Sequence, residues 1–207
     1  MFAITADQVD SRHGPALGDE GLALVTRVGG ERLSLPPDRT AGDEVQALTA
    51  DAATALALAL ALARTGRWSV GIGIGEMDAP LVGPTRTANG AALVAARAAV
   101  ESAKKRPLRA AVAGGADGIR PSAATVQTSL ELLLQLRDRR SPEGWELHDL
   151  VEAGLTQVEA AQRLGITPQA ASKRAIAAGL RLDAAARTAL TELLELADAS
   201  AGRKETR

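Results

Sequence analysis

Residues 155–175 read LTQVEAAQRLGITPQAASKRA. Ala160 and Ala161 supply small side chains on a first predicted helix where a second helix must cross it closely, and Gly165 with Ile166 supplies a tight turn. The second predicted helix opens with polar residues and ends with basic ones. This combination predicts a helix-turn-helix, in which the second helix can enter the major groove of duplex DNA.

The predicted contacts with DNA come mainly from the second helix and the residue before it. Thr167 is expected to cap this helix, and Pro168 suits its first turn because the amide hydrogen that proline lacks is unpaired there. Glutamine and arginine side chains read base edges, whereas serine and lysine more often bind phosphate. The predicted DNA-binding residues are Thr167, Gln169, Ser172, Lys173, Arg174 and Arg181. An ordinary helical hairpin is the alternative.

The charge of the chain supports this interpretation only locally. The net charge of -1 is low for a DNA-binding protein. Between positions 163 and 187, however, Asp183 is the single acid among several basic residues, which are Arg163, Lys173, Arg174, Arg181 and Arg187. Aromatic residues make up 1% of the chain, so it lacks stacking platforms for single-stranded nucleic acid. Double-stranded DNA is therefore the expected partner.

The composition also bears on the location of the protein. The chain has no cysteine, and its start lacks the basic region and long apolar core of a signal peptide. The longest apolar run, residues 52–63, is too short to span a bilayer and predicts a buried helix. We therefore expect a cytoplasmic protein with no membrane partner. His13 and His148 are expected at the surface, because neither has neighbours suited to a metal site or a catalytic base.

Strands and helices alternate in the amino-terminal part of the chain. Predicted strands cover residues 2–6, 33–35, 45–48, 68–76 and 108–113, and predicted helices cover 18–29, 51–64 and 90–104. The strands at 33–35 and 45–48 are expected to form a hairpin with its loop on Gly42 and Asp43. This order predicts an α+β fold with a ferredoxin-like or palm-like layer of helices on a mostly antiparallel sheet.

One predicted strand has an unusual face. Gly71, Gly73 and Gly75 alternate with apolar residues between Trp68 and Glu76, which leaves one side of the strand nearly bare. A bare face lets another backbone, a helix or a ligand come close, and packing is the commoner cause. The glycines lie within the strand rather than at a strand-to-helix turn, so they do not form a dinucleotide-binding motif.

From Ser122 onward the sequence is helical. We place an α/β domain at 1–120, a linking helix at 121–141, and a helix-turn-helix domain with a C-terminal helix at 142–207. Helices are predicted over 124–139, 142–152 and 184–197, which leaves no room for a winged hairpin. The last helix has an apolar stripe that either packs within the domain or pairs with a second copy; it consists of Ala186, Leu190, Leu193, Leu194 and Ala197. We expect a homodimer, because half-sites on DNA favour two-fold symmetry.

Four segments of the amino-terminal half resemble the SatD family. They are ITADQVDSR at 4–12, GDEVQAL at 42–48, VGIGIGE at 70–76 and GAALVAAR at 90–97. More distantly, they are similar to the palm domain of class III nucleotidyl cyclases and GGDEF diguanylate cyclases, in which one acid ends the first strand and another lies on the hairpin. The resemblance implies a cyclase-like fold with Asp7 and Asp43 as a metal-holding pair, which would bind Mg2+ together with a nucleotide.

The cyclase pattern is incomplete in this chain. The hairpin loop lacks the first glycine and the aromatic residue of GGDEF, and the asparagine that cyclases place one turn before the helix arginine is missing. These departures imply ligand binding without catalysis. The expected ligand-binding residues are Asp10, Arg12, Glu44 and Arg97, with Arg86 as a further phosphate partner. The alternative is that the acids only form a polar hairpin tip and a strand end.

Together, these features predict a DNA-binding transcriptional regulator that is not an enzyme and whose amino-terminal domain senses a ligand such as a nucleotide. Two alternatives remain: a nucleotidyl cyclase-type enzyme that acts on a nucleoside triphosphate with a metal, and a protein-interaction module.

Overall fold

The fold is α+β, as the sequence predicts. In the computed structural model of the chain, residues 1–11, 14–40, 43–115 and 121–201 are described, with side chains through residue 199. The described residues form a five-stranded mixed sheet and eight α-helices. The chain divides into two compact units: the first unit contains residues 1–131 and 190–207, and the second unit contains residues 132–189. The predicted domain boundary near Arg120 lies outside the described residues.

The sheet belongs to the first unit. Its strands are β1 (Phe2–Gln8), β2 (Asp38–Thr40), β3 (Glu44–Thr49), β4 (Trp68–Ile74) and β5 (Ala110–Gly114). They lie side by side in the order β2-β3-β1-β4-β5. The β1 strand is antiparallel to both β3 and β4, β2 is antiparallel to β3, and β4 is parallel to β5. The buried strand β1 therefore occupies the centre of the sheet.

Three helices of the first unit match their predicted positions closely. They are α1 (Gly18–Gly29), α2 (Ala52–Arg64) and α3 (Ala91–Ala103). The α2 helix begins where the side chain of Asp51 accepts a hydrogen bond from the backbone amide of Thr54, at 3.1 Å. Its leucines are buried, namely Leu56, Leu58, Leu60 and Leu62. The prediction of a buried helix at this position is confirmed.

The bare face of β4 is covered by the backbone of α3. A Cβ atom added at Gly73 would lie 2.0 Å from the carbonyl oxygen of Ala92 and 2.2 Å from the amide nitrogen of Ala96. At Gly71, it would lie 2.4 Å from the carbonyl oxygen of Ala96. No side chain fits in these gaps, so the glycines permit close packing of the helix on the sheet, as the packing interpretation predicts.

The strand predicted at Leu33–Leu35 is wrong. Leu33 forms only an isolated bridge with Thr49, and the strand that pairs with β3 is β2, which follows the two prolines. Proline has no amide hydrogen to donate, so Pro36 and Pro37 end the extended pairing at this point. Leu35 is buried in an apolar cluster with residues of β1, β3 and α3 instead. The predicted hairpin exists with β2 as its first strand, although Gly42 of its loop lies outside the described residues.

The remaining helices are α4 (Ala123–Asp138), α5 (Pro142–Glu152), α6 (Gln157–Leu164), α7 (Pro168–Ala177) and α8 (Leu180–Ala201). In the second unit, Leu147 of α5, Ala160 of α6 and Ala175 of α7 share one apolar core. The α8 helix begins at Leu180, earlier than predicted, and its side chains at Leu190, Leu194 and Ala197 are buried. The predicted apolar stripe therefore packs within the chain at these three positions.

Candidate nucleic-acid interface

The start and end of α6 are fixed by local hydrogen bonds. The Thr156 hydroxyl accepts a hydrogen bond from the amide of Glu159 at 3.3 Å, and the Glu159 carboxylate accepts one from the amide of Thr156 at 2.7 Å. This reciprocal pair is a capping box, and it lowers the pKa of the Glu159 carboxyl group. The helix ends at Gly165, whose φ of 66° is in the left-handed region that glycine adopts readily.

The next helix begins as the sequence predicts. Thr167 is the N-cap of α7, and its hydroxyl accepts a hydrogen bond from the amide of Ala170 at 3.1 Å. Pro168 occupies the first turn. Because Thr167 uses its hydroxyl oxygen to hold the helix end, we assign it a positioning role in addition to its predicted contact with DNA. Only two residues, Ile166 and Thr167, lie between Gly165, which ends α6, and Pro168, the first residue of α7.

The α7 helix has one apolar side and one polar side. Ala171 and Ala175 are buried, whereas Gln169, Ser172 and Lys173 are exposed. Positions three and four residues apart share a face of an α-helix, so the three polar side chains project together from the second unit. This confirms the predicted outward orientation of these three residues. The same helix also exposes an isoleucine that sequence reasoning did not single out.

Arg174 departs from the prediction. Its side chain is only 24% exposed, and its Nη1 atom lies 3.6 Å from Oε2 of Glu146 on α5. The helical rotation places Arg174 between the buried alanines and the polar side of α7, where α5 is its neighbour. The expectation that Arg174 faces outward is therefore wrong, because an acid on the adjacent helix holds it.

Several cations of this unit have no acidic partner in the part of the chain that the structure describes. Arg187 pairs with Glu152 at 2.6 Å and with Asp183 at 3.0 Å, so it does not contribute to a free basic surface. By contrast, Arg163, Lys173 and Arg181 are exposed and form no ion pair with any described residue. Exposed, uncompensated cations of this unit favour binding to a polyanion, because they release counterions from phosphates.

A buried carboxylate on α8 bonds to arginines at the end of α4 and just after it. Asp183 is 1% exposed and accepts hydrogen bonds from Arg137 at 2.7 and 3.0 Å and from Arg140 at 2.9 Å. Burial raises the pKa of Asp183, but the bonds and charges of these arginines outweigh it and lower the pKa to about 2. Arg140 also donates to the carbonyl oxygen of Ala178, the C-cap of α7, at 3.0 Å. The network therefore fixes the carboxyl end of α7.

Sequence reasoning did not find this network, although Asp183 was visible as the single acid in a basic stretch. The expectation that His148 lies at the surface is also wrong. His148 is only 8% exposed, with its ring 5.0 Å from that of Trp145 in an edge-to-face arrangement. Burial lowers the pKa of His148, and Arg140 and Arg137 lower it further against the opposing effect of Asp149. The other histidine, His13, lies outside the described residues.

The predicted acidic site lies at one end of the sheet in the first unit. Asp7 of β1 is directly opposite Glu44 of β3, and its Oδ2 atom lies 3.2 Å from Nζ of Lys104. Burial raises the pKa of Asp7, the ammonium of Lys104 opposes this, and the carboxylates of Asp43 and Glu44 add to it. The structure therefore brings together three of the four predicted acids, Asp7, Asp43 and Glu44. Lys104, which the sequence did not reveal, supplies their counter-charge.

The other residues predicted for this site do not all lie beside these acids. Arg97 of α3 reaches Glu44 with an Nη2 to Oε1 distance of 4.0 Å, whereas Arg86 pairs with Asp38 at 2.8 Å. Asp10 lies in an exposed turn after β1 with a φ of 54°, and Arg12 lies outside the described residues. Among the described residues, no group of three or more histidine, aspartate or glutamate side chains is placed to hold a metal ion.

Two uncharged polar residues lie beside these acids. Thr5 of β1 is fully buried, and its hydroxyl has no hydrogen-bond partner among the described residues. It is directly opposite Gln46 of β3, which is also buried and donates to Glu44 at 2.9 Å. Because side chains alternate along a strand, Thr5 and Asp7 share the face of β1 that packs against α3. The interior of the sheet therefore carries a polar row that extends inward from the acidic end.

Comparisons with known proteins add no relative. No family model matches the chain, and the searches of curated proteins and of solved structures each found no match. Among the described residues, every helix is too short or too polar to cross a membrane.

Proposed function

We propose that this protein is a DNA-binding transcriptional regulator whose α7 helix enters the major groove of duplex DNA. The observation that carries the proposal is the outward side of α7, where Gln169, Ser172 and Lys173 project together from a helix whose opposite side is buried. An amide, a hydroxyl and an ammonium group are suited to base edges and phosphates. The exposed cations Arg163 and Arg181 of the same unit add a sequence-independent attraction to the DNA backbone.

The local geometry supports a helix-turn-helix in the second unit. The capped start of α6, the left-handed Gly165 and the capped start of α7 define two short helices joined by a tight turn. The α5 helix packs against both of them through Leu147, which gives the pair a third support. With its carboxyl end bonded to Arg140, α7 is held rigidly enough to present a defined face to DNA.

Gel retardation of a random-sequence duplex at low salt tests this proposal. We expect the wild-type protein to retard the duplex and the double variant Gln169→Ala/Lys173→Ala to bind it more weakly, because the variant loses one cation of the outward side. Lys173→Ala alone should reduce the slope of log affinity against log salt by about 1, because one phosphate contact is lost. Lys105→Ala, which removes an exposed lysine of the first unit, is the matched control and should leave the slope unchanged. No retardation of any duplex by the wild type would refute the proposal.

We further propose that the first unit is a ferredoxin-like, palm-type domain of the SatD kind that binds an effector without catalysis. Its first elements follow the order β1-α1-β2-β3-α2-β4, and these four strands lie in the order β2-β3-β1-β4 with antiparallel neighbours. This arrangement supports the split β-α-β motif of ferredoxin-like folds, to which β5 adds a parallel edge strand.

A nucleotide remains the proposed effector, with Glu44 and Arg97 among its contacts. The pair Asp7 and Asp43 is proposed to bind Mg2+, but the ion would have to replace the Lys104 ammonium at Asp7. Calorimetry with ATP or GTP and Mg2+ tests both parts. Heat of binding that increases in Lys104→Met and disappears in Asp7→Asn supports the site. Equal heats in the two variants and the wild type, or no heat in any of them, would contradict it.

We also propose that the regulator acts in the cytoplasm as a homodimer, because two-fold symmetric half-sites are the common target of helix-turn-helix proteins. The contact between copies must involve surfaces other than Leu190, Leu194 and Ala197, which are buried within one chain. Light scattering should give twice the chain mass of 21.3 kDa. A single-chain mass at micromolar concentration, with DNA absent and present, would contradict the dimer.

A further inference from the structure

The outward side of α7 includes an apolar residue that the fold does not use. Ile176 is 78% exposed, whereas Ala171 and Ala175 of the same helix are buried. An exposed isoleucine has no packing role, and isoleucine favours a helix less than alanine does. Ile176 follows Gln169 by seven residues, which is close to two helical turns, so both side chains project from the same side.

The spacing of these two residues corresponds to a short distance along DNA. Seven residues rise about 10 Å along an α-helix, and base pairs are stacked about 3.4 Å apart. Gln169 and Ile176 can therefore contact positions about three base pairs apart when α7 lies along the groove. Lys173 lies between them on the same side of the helix.

The chemistry of the two side chains selects among base pairs. The glutamine amide both donates and accepts, which matches the amino group and N7 of adenine in the major groove. An exposed aliphatic group matches the methyl group of thymine, the only apolar group on the major-groove edges. Arginine, the common reader of guanine, does not project from this side, because Arg174 is held by Glu146.

We infer that α7 reads A·T base pairs, with Gln169 contacting an adenine and Ile176 contacting a thymine methyl group about three base pairs away. This inference rests on the proposed DNA-binding function and specifies its sequence preference. In this arrangement Lys173 and the exposed cations Arg163 and Arg181 of the same unit supply affinity without selecting bases.

Selection of sites from a randomised duplex library by the full-length protein, followed by sequencing, tests the preference. The wild type should enrich A·T pairs at two positions about three base pairs apart. Gln169→Ala should lose the preference at one position, and Ile176→Ala at the other. Lys173→Ala is the control that weakens binding while both preferences remain. Circular dichroism verifies that the variants are folded, as expected for exposed positions.

Replacement of thymine by deoxyuracil in the selected site isolates the methyl contact. Deoxyuracil lacks only that methyl group, so wild-type affinity should fall about fourfold when it replaces the contacted thymine. Ile176→Ala should bind the two duplexes equally. Selected sites with G·C pairs at these positions, or the same loss with deoxyuracil in wild type and Ile176→Ala, would overturn the inference while leaving DNA binding intact. Failure of the wild type to bind any duplex would instead overturn the proposed function and, with it, this inference.

Discussion

Replacement of Asp183 by asparagine should destabilise the second unit while preserving its shape. Three arginines bond to the Asp183 carboxylate: Arg137 at 2.7 and 3.0 Å, Arg140 at 2.9 Å and Arg187 at 3.0 Å. The carboxylate is 1% exposed, so water cannot replace it as a partner for these cations. Asparagine has nearly the same volume but carries no charge and offers one acceptor oxygen instead of two.

The size of the effect follows from the pKa of Asp183. A fall from 3.8 to about 2 corresponds to a stabilisation of the ionised carboxylate on the order of 2 kcal/mol. Removal of one partner from a buried ion pair costs about 3–5 kcal/mol, because the remaining charges lose their compensation. We therefore expect Asp183→Asn to lower the free energy of unfolding at pH 7 by about 2–4 kcal/mol.

The pH dependence provides a second signature. The pKa of Asp183 is lower in the folded protein than in the unfolded chain, so its stabilising contribution is present above pH 4 and is lost as the pH falls from about 4 through about 2. The wild type should therefore lose its advantage over Asp183→Asn across this window. Above pH 4, Asp183 stays ionised in both the folded and the unfolded chain, so its contribution to the difference in free energy of unfolding between the two proteins should be constant.

Urea unfolding followed by tryptophan fluorescence measures this effect. Trp145 reports on the network directly, because the Arg140 guanidinium lies 4.3 Å from the centre of its ring. A Trp68→Phe background removes the fluorescence of the first unit. Asp138→Asn, at an exposed acid near the end of α4, is the matched control and should stay within about 0.5 kcal/mol of the parent. A loss below about 0.5 kcal/mol for Asp183→Asn, or a difference that persists unchanged at pH 2, would refute the reasoning.

Three further substitutions test other parts of the fold. Gly73→Ala should destabilise the protein by about 3 kcal/mol or more in chemical unfolding, because its Cβ would lie 2.0 Å from a backbone oxygen of α3. Gly14→Ala, at an exposed position, is the control. Equal stability of the two variants would contradict the close packing of α3 on the sheet. Thr5→Val should raise the thermal midpoint by a few degrees, because it removes a buried hydroxyl that has no partner among the described residues; a lower midpoint would indicate that the hydroxyl is bonded. Thr167→Ala should cost about 1 kcal/mol of stability and weaken DNA binding, whereas an unchanged unfolding midpoint would show that the cap of α7 is unimportant.

The local elements of the fold could largely be predicted from the sequence, because short-range physics determines them. The α5 helix has its predicted bounds, Pro142–Glu152, since Ser141 caps its start and proline suits its first turn. The alternation of glycine with apolar residues in β4 correctly indicated close packing, since only a backbone approach explains a face without side chains. Thr167 and Pro168 set the start of α7 in the same local way.

The features that the sequence did not reveal depend on contacts between distant residues. Arg174 pairs with Glu146 from another helix, and two of the partners of Asp183, Arg137 and Arg140, are separated from it by more than forty positions in the chain. Lys104 meets Asp7 only because α3 crosses the sheet. Helical periodicity identifies the side of a helix on which a residue lies but not which charged group faces it there. The predicted strand at Leu33–Leu35 failed for a local reason, because Pro36 and Pro37 end its pairing with β3 after an isolated bridge.

Site-specific crosslinking tests most directly whether the outward side of α7 contacts DNA. The chain has no cysteine, so Ser172→Cys introduces a single thiol on that side, and Ser34→Cys introduces one at an exposed position of the first unit. Each variant is incubated with duplexes that carry a thiol tether on the major-groove edge of a base. We predict a disulfide crosslink with Ser172→Cys and none with Ser34→Cys. Duplex binding without a crosslink from Ser172→Cys, or equal crosslinking from the two variants, would contradict this account.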